Sequence, residues 1–153
     1  MRRIATAVEI DSPAAAIWRV LVDFAAYPEW NPFIRRIEGE SRVGAKLRVT
    51  AQPQGRKPMT FRPTVRVAEP GRELRWLGRV LIPGIFDGEH AFIIEERQGG
   101  CRLRHEETFR GLLVPAFGAM LDDTEKGFVA LNAALKQRVE SRRHGVARSQ
   151  QKK

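Results

Sequence analysis

Apolar and polar residues alternate from Arg3 to Asp11, give way to a spacing of three and four, and alternate again through the middle of the chain. The first stretch predicts a strand over 3–11. It ends at Asp11-Ser12-Pro13, where Ser12 suits a helix N-cap and Pro13 a first helical residue. The helix that follows, to about Phe24, sets Ile17, Val20, Leu21 and Phe24 on one stripe. Tyr27-Pro28-Glu29-Trp30-Asn31-Pro32 admits one short helical turn. From Phe33 to about Leu113 the period of two predicts strands near 33–40, 45–53, 58–69, 72–81, 86–98 and 101–112. With the first, that makes a sheet of about seven strands. Turns fall at Ser41–Gly44, Pro53–Pro58, Pro70-Gly71, Pro83-Gly84 and Gly99-Gly100. From near Pro115 to about Arg143, Phe117, Leu121, Thr124, Phe128, Leu131, Leu135 and Val139 make one continuous stripe on a helix of about 43 Å. Only a sheet offers so long a stripe a partner. The order is α+β: one domain over 1–143, a curved antiparallel sheet against a long C-terminal helix, with two short helices after the first strand.

The turns also assign faces. A two-residue turn at Gly99-Gly100 pairs Gln98 with Cys101, and so sets Phe92 opposite Glu107, Ile94 opposite His105 and His90 opposite Phe109. Cys101, Leu103, His105, Glu107 and Phe109 then face inward, while Arg102, Arg104, Glu106, Thr108 and Arg110 meet water. A turn at Pro70-Gly71 pairs Val67 with Leu74, Val65 with Trp76 and Pro63 with Gly78. Arg62, Thr64, Arg66, Arg75 and Arg79 fall outside. Both hairpins give one wet face and one dry face.

Charge alters this picture little. Of the net +9, residues 141–153 supply five arginines and lysines and no acid, which leaves 22 basic and 18 acidic residues, or +4, in the rest. The excess marks residues 144–153 as a basic, disordered, solubilising tail whose pull on polyanions is weak and unspecific. No apolar run approaches the ~20 residues a membrane-spanning helix needs. The N-terminus has no signal-peptide pattern. The lone Cys101 excludes an internal disulfide and fits a reducing compartment, the cytoplasm.

The stretch from Phe24 through Ala25, Ala26, Tyr27, Pro28, Glu29, Trp30, Asn31 and Pro32 to Phe33 resembles the opening signature of the polyketide cyclase/dehydrase branch of the START and birch-pollen-allergen superfamily. Gly88-Glu89-His90-Ala91-Phe92, the run from His105 to Leu113, Gly127-Phe128 and the run from Leu131 to Lys136 are similar to its later blocks. The resemblance covers about 4–140. It implies a helix-grip fold with a cavity between sheet and long helix, holding lipid-like or aromatic ligands. It does not imply catalysis, since many relatives only bind or carry. Such a cavity would be walled on the sheet side by Trp30, Phe33, Val65, Trp76, Phe92 and Phe109 with the inward polar groups. The helix would add Leu121, Thr124, Gly127 and Phe128.

His90, His105 and Glu107 are those inward polar groups. Buried unpaired they would be costly, so they need partners or water. In the register above His90 and Glu107 are diagonal neighbours at about 7–8 Å, within side-chain reach. Three roles fit the pair: a satisfied bridge in the wall, an anchor for a ligand hydroxyl or carbonyl, or proton transfer. A shared metal fails on distance, because His105 lies about 13 Å from His90 in that register. Cys101 reads as a small hydrophobe. Gly127 inside a helix either admits close packing or enlarges a cavity, and the resemblance favours the cavity. The aromatic residues are core by default and become ligand contacts only around an unfilled volume.

Three functions compete. A carrier of an apolar ring- or chain-shaped molecule leads. A cyclase/dehydratase-type enzyme using His90 or Glu107 follows. A polyanion binder ranks last, since neither a glycine-rich phosphate loop nor the interleaved surface aromatics of RNA-binding sheets occurs. The expected partner is an apolar small molecule, with no cofactor, metal, specific nucleic acid or membrane insertion, in a monomer or homodimer.

Overall fold

The computed structural model describes residues 1–80 and 82–150, with the side chains of 146–150 outside the description. Strand β1 (Arg2–Ile10) is followed by helix α1 (Ala14–Val22), a 3-10 turn (Phe24–Ala26) and the short helix α2 (Tyr27–Trp30). Strands β2 (Ile34–Glu38), β3 (Arg48–Ala51), β4 (Met59–Phe61), β5 (Thr64–Glu69), β6 (Glu73–Val80), β7 (Phe86–Arg97) and β8 (Gly100–Arg110) come next. A 3-10 turn (Val114–Phe117) leads into the long helix α3 (Gly118–Gln150).

The strands lie in the orders β1-β8-β7-β6-β5 and β2-β3-β4. The two groups are one wrapped surface. Gly44 N donates to Val65 O at 2.9 Å, Val65 N to Ala45 O at 2.9 Å, and Leu47 N to Pro63 O at 2.8 Å, which joins the approach to β3 to β5. The expected strand over 58–69 is two, β4 and β5, parted at Arg62-Pro63 because proline brings no N–H to a ladder. The helix-grip arrangement stands, with α3 lying in the concave sheet.

Leu121, Phe128, Leu131, Leu135 and Val139 of α3 are buried together with Ile4, Leu74, Trp76, Phe92 and Leu103 of the sheet. On the wet face two of the arginines are closely paired. Arg75 meets Glu73 at 2.5 Å and Glu89 at 2.8 Å, and Arg104 meets Glu106 at 2.5 Å and Glu95 at 3.0 Å. Those charges are used within the sheet.

Three expectations are corrected. Helix α1 starts at Ala14 with Pro13 as its cap, and Ser12 makes no capping bond. Its hydroxyl is buried without a partner among the described residues. Helix α3 passes the expected end at Arg143 and runs to Gln150, because Gly145 keeps helical geometry and no proline follows it. The backbone of 144–150 is therefore helical where a disordered tail was expected, and 151–153 lie outside the described residues.

The third correction moves the site. The β7–β8 turn is Gln98-Gly99, with Arg97 paired to Gly100, two residues away from the expected register. Gly99 takes the positive φ of +85° that the turn requires, while Gly100 is already in the ladder. A Cβ on Gly100 would sit 2.4 Å from Ile10 O, so that glycine serves the close approach of β1. A two-residue slip preserves both faces and changes every partner: His90 now pairs with Glu107, and Phe92 with His105. In the β5–β6 hairpin Val65 pairs with Trp76 as expected. A bulge between Val65 and Val67 then pairs Ala68, and not Val67, with Leu74.

Candidate functional site

The space between sheet and helix is not filled at one end. A cavity of about 300 Å³ opens there, between β2–β4 on one side and the β6–β7 and β8–α3 ends on the other. Asn31 prepares one wall: its Oδ1 accepts from Phe33 N at 3.0 Å and Ile34 N at 2.8 Å, turning the chain out of α2 and aiming Phe33 inward. Phe33, Ile34, Val49, Ala51 and Phe61 form that wall. Trp76, Phe86 and Phe109 form the opposite one, and Met120 and Thr124 of α3 close the space. Gly78 and Gly88 face each other across β6 and β7, so neither strand puts a side chain into the cavity there. At the rim Val80, Ile82, Leu112, Leu113 and Phe117 are exposed apolar residues. Their two loops are joined by Leu112 N to Gly84 O at 3.1 Å and Leu113 N to Ile85 O at 3.0 Å.

A histidine and a carboxyl enter this wall. Glu107 Oε2 lies 3.3 Å from His90 Nδ1. His90 Nε2 lies 3.0 Å from His105 Nε2, and His105 Nδ1 lies 2.8 Å from Asn132 Oδ1. Asn132 Nδ2 donates to Thr6 Oγ1 at 2.9 Å, and the Thr6 hydroxyl donates to His105 O at 3.0 Å. The chain runs from the cavity through the core to β1 and α3. Aromatic rings enclose it: Trp76 stacks on His90 with centroids 4.6 Å apart, and Phe128 stacks on His105 at 3.8 Å.

Burial sets the protonation of these groups. Desolvation pushes the Glu107 carboxyl up to about 8 and the His90 imidazole down to about 3. His105 is held well below the usual imidazole range, first by burial and then by His90, against the opposing pull of its bond to Asn132. At neutral pH all three are uncharged. A neutral carboxylic acid in an apolar cavity can donate a proton, accept a hydrogen bond, or simply anchor a ligand.

Of the expected cavity residues, Phe33, Trp76, His90, Glu107, Phe109 and Thr124 line it. The others do not. His105 stands behind His90, buried against Phe128. Val65, Phe92, Leu121 and Phe128 are solid core, each essentially without exposure. Trp30 packs on Tyr27 with ring centroids 5.1 Å apart, and its indole N–H is buried without a partner among the described residues. Gly127 belongs to close packing: a Cβ there would lie 2.3 Å from Cδ2 of Phe33, whose ring occupies the notch. The wet and dry faces hold, with Leu103, His105 and Phe109 buried, Glu107 half-buried, and Arg102 and Arg110 exposed.

The distance argument against a shared metal is overturned with the register, since the two imidazoles touch. Among the described residues no group of three or more potential ligands gathers. Sequence reasoning passed over Thr6 and Asn132. The signal for Thr6 was a hydroxyl at an inward position of the otherwise apolar series Ile4, Val8, Ile10. For Asn132 it was an amide beside Phe128, Leu131 and Leu135 on the buried stripe. The Gly78–Gly88 pair was a further sign of open space.

Among the described residues no helix is long and apolar enough to cross a membrane. A sequence profile of the family described as polyketide cyclase / dehydrase and lipid transport matches residues 1–140. No curated protein matches the sequence. Among solved structures, protein MLL2253 from Mesorhizobium loti is similar at a TM-score of 0.73 and 19% identity, over 92% of this chain and 98% of that one. The Zhui aromatase/cyclase from Streptomyces sp. R1128 is similar at 0.72 and 18%, over 92% and 94%. A START superfamily protein from Mycobacterium smegmatis is similar at 0.71 and 24%, over 91% and 97%. At such identities the likeness is one of fold.

Proposed function

The chain belongs to the polyketide cyclase/dehydrase and lipid-transport family, and from that premise we propose that it binds or carries an apolar small molecule in the cavity between sheet and α3. The observation behind this is the unfilled volume of about 300 Å³, walled chiefly by aromatic and aliphatic side chains, with the Glu107–His90 pair set among them. Interiors ordinarily close such volumes, because every unfilled site forfeits dispersion contacts. A cavity kept open at the one place where a carboxyl faces it is suited to a lipid-like, aromatic or polyketide-like guest with one polar group.

A second reading has its own support. Glu107, raised to about 8, is a carboxylic acid at neutral pH and sits where a guest would lie. That is the condition for a general acid, as a cyclase or dehydratase would use it. In this reading Glu107 delivers the proton and His90 holds its carboxyl in place. Arg75 and Arg104 of the wet face are engaged by acids of the same sheet, which lowers the positive charge that face offers to a polyanion. The buried thiol of Cys101 supports a reducing, cytoplasmic setting, and a monomer or homodimer suffices for a site built within one chain.

Native mass spectrometry of protein purified from its own host tests the binding reading. A co-purifying apolar molecule, displaced by substitution of Phe33 or Phe109 with tryptophan, is the expected result. Failure of fatty acids, sterols and aromatic polyketides alike to change the emission of Trp76 would refute it.

A further inference from the structure

The hydrogen-bond chain behind the cavity has a direction. The carbonyl of His105 can only accept, so the single hydroxyl hydrogen of Thr6 is committed to it. Thr6 Oγ1 must then accept from Asn132, which puts the amide NH₂ toward Thr6 and the amide oxygen toward His105. His105 Nδ1 therefore bears the hydrogen, and its Nε2 has a lone pair. His90 Nε2 must supply the hydrogen between the two rings. What remains on His90 Nδ1 is a lone pair, and the group facing it at 3.3 Å is Glu107 Oε2. With both rings neutral, that contact is satisfied only if Glu107 bears a proton.

We propose that Thr6, Asn132, His105 and His90 form a polarity-locked chain that keeps the acid proton on Glu107. The cavity then meets its occupant with a hydrogen-bond acceptor, and takes neutral hydroxyl-bearing molecules in preference to carboxylate anions. The ligand half rests on the binding reading above; the proton half does not. Oε1 of Glu107 is the acceptor on offer. It has no hydrogen-bond partner among the described residues and lies 2.8 Å from where a Cβ on Gly88 would sit. Thr124 offers acceptor lone pairs as well, since its hydroxyl donates to Met120 O at 2.9 Å.

Among the described residues no cation is placed to draw the proton away. His90 of β7 is the titratable group that faces Glu107, Ile4 of β1 is paired with it on the other side, and α3 presents Met120 and Thr124 across the cavity. Arg79, the other charged residue of the lining, is exposed at the rim. Thr6, Asn132 and His105 never touch the occupant, so they are positioning residues. Their effect should appear in the protonation of Glu107 and not only in stability.

Three measurements decide the matter. Infrared difference spectroscopy of the whole chain at pH 7 should show the carbonyl band of a protonated buried carboxyl that disappears in Glu107→Gln. Absence of that band overturns the proposal. In Asn132→Leu the rings are free to exchange tautomers and place an N–H on His90 Nδ1. The Glu107 midpoint should then move from about 8 toward the ordinary carboxylate range. Thr6→Val, which keeps the side-chain shape, should move it in the same direction if the first variant folds poorly. An unmoved midpoint in a folded variant of either kind overturns the lock. For the ligand half, 2-naphthol and 2-naphthoate are titrated against Trp76 emission. The alcohol should bind at least about tenfold more tightly, the effect of one unmatched buried polar contact. Equal or tighter binding of the anion overturns the preference. If neither probe binds, the binding reading and the ligand preference fall together, while the infrared band still decides where the proton is.

Discussion

The indole of Trp76 lies flat on the imidazole of His90, 4.6 Å away and 7° from parallel. The indole face therefore reports the charge of that imidazole, since a cation on the ring alters the indole's emission. His90 is pushed down to about 3 by burial, so it stays neutral across the range in which exposed histidines titrate. With Trp18 and Trp30 replaced by phenylalanine, emission from Trp76 should hold level as pH falls through 6.5 and change only as the chain approaches pH 3. A titration midpoint near 6.5 would show that water reaches His90.

Stability should pass through a maximum at about pH 6.5. Glu107 binds its proton more tightly when folded, from the ordinary 4.5 up to about 8, so its contribution is full below about 4.5 and is lost as pH rises to about 8. His90 and His105 bind theirs less tightly when folded, so their contribution is full above 6.5 and is lost as pH falls toward 3. Between pH 4.5 and 6.5 two histidines outweigh one acid and stability climbs. Above 6.5 only the loss from the acid remains and stability declines. Melting temperatures from pH 5 to 9 test this, and a monotonic rise to pH 9 would contradict it.

Glu107→Gln should remove the alkaline half of that curve. The glutamine amide can donate to His90 Nδ1 as the protonated carboxyl does, and it has no proton to lose. The variant should melt near the parent at pH 6 and above it at pH 9. Glu107→Leu leaves the His90 lone pair buried and unpaired, and should destabilise by about 1–3 kcal/mol. Equal alkaline sensitivity in parent and Glu107→Gln would move the titrating group elsewhere.

Gly88→Ala should separate guest affinity from stability. Its Cβ would fall 2.8 Å from Glu107 Oε1 and 3.4 Å from a ring carbon of Phe109. The carboxyl end can swing aside at little expense, so the melting temperature should change by the equivalent of about 1 kcal/mol or less. The displaced carboxyl no longer meets the guest, and affinity for a hydroxyl-bearing ligand should fall about tenfold. Unchanged affinity in the folded variant would exclude Glu107 from the contact surface.

The sheet's faces were legible because alternation records burial and survives any even slip in register. The partners across the β7–β8 hairpin were not, because two adjacent glycines leave the turn ambiguous by two residues. What decided between them was the carbonyl of Ile10 on a third strand, pressed against Gly100. From that one ambiguity came the misplaced distance between His90 and His105, and with it the chain to Asn132. The cavity's general place followed from the family resemblance, but only part of its wall did. Val65, Phe92, Leu121 and Phe128 share periodicity and burial with true lining residues, and only the three-dimensional packing shows that they do not border the cavity. Gly127 is similar: a glycine on a buried helical stripe signals that something large approaches, without telling whether that is a guest or the ring of Phe33.

That ring gives the notch at Gly127 a meaning beyond packing. Phe33 lines the cavity with one face while its edge enters the helix where a Cβ would stand 2.3 Å from Cδ2. A side chain at 127 would displace the ring, and the chamber that Phe33 borders is open to receive it. The calibre of the chamber is thus adjusted from α3, by one codon, without touching Glu107 or the residues behind it. The chamber's size and its carboxyl are set by different residues, so a change at 127 can alter the one while leaving the other in place.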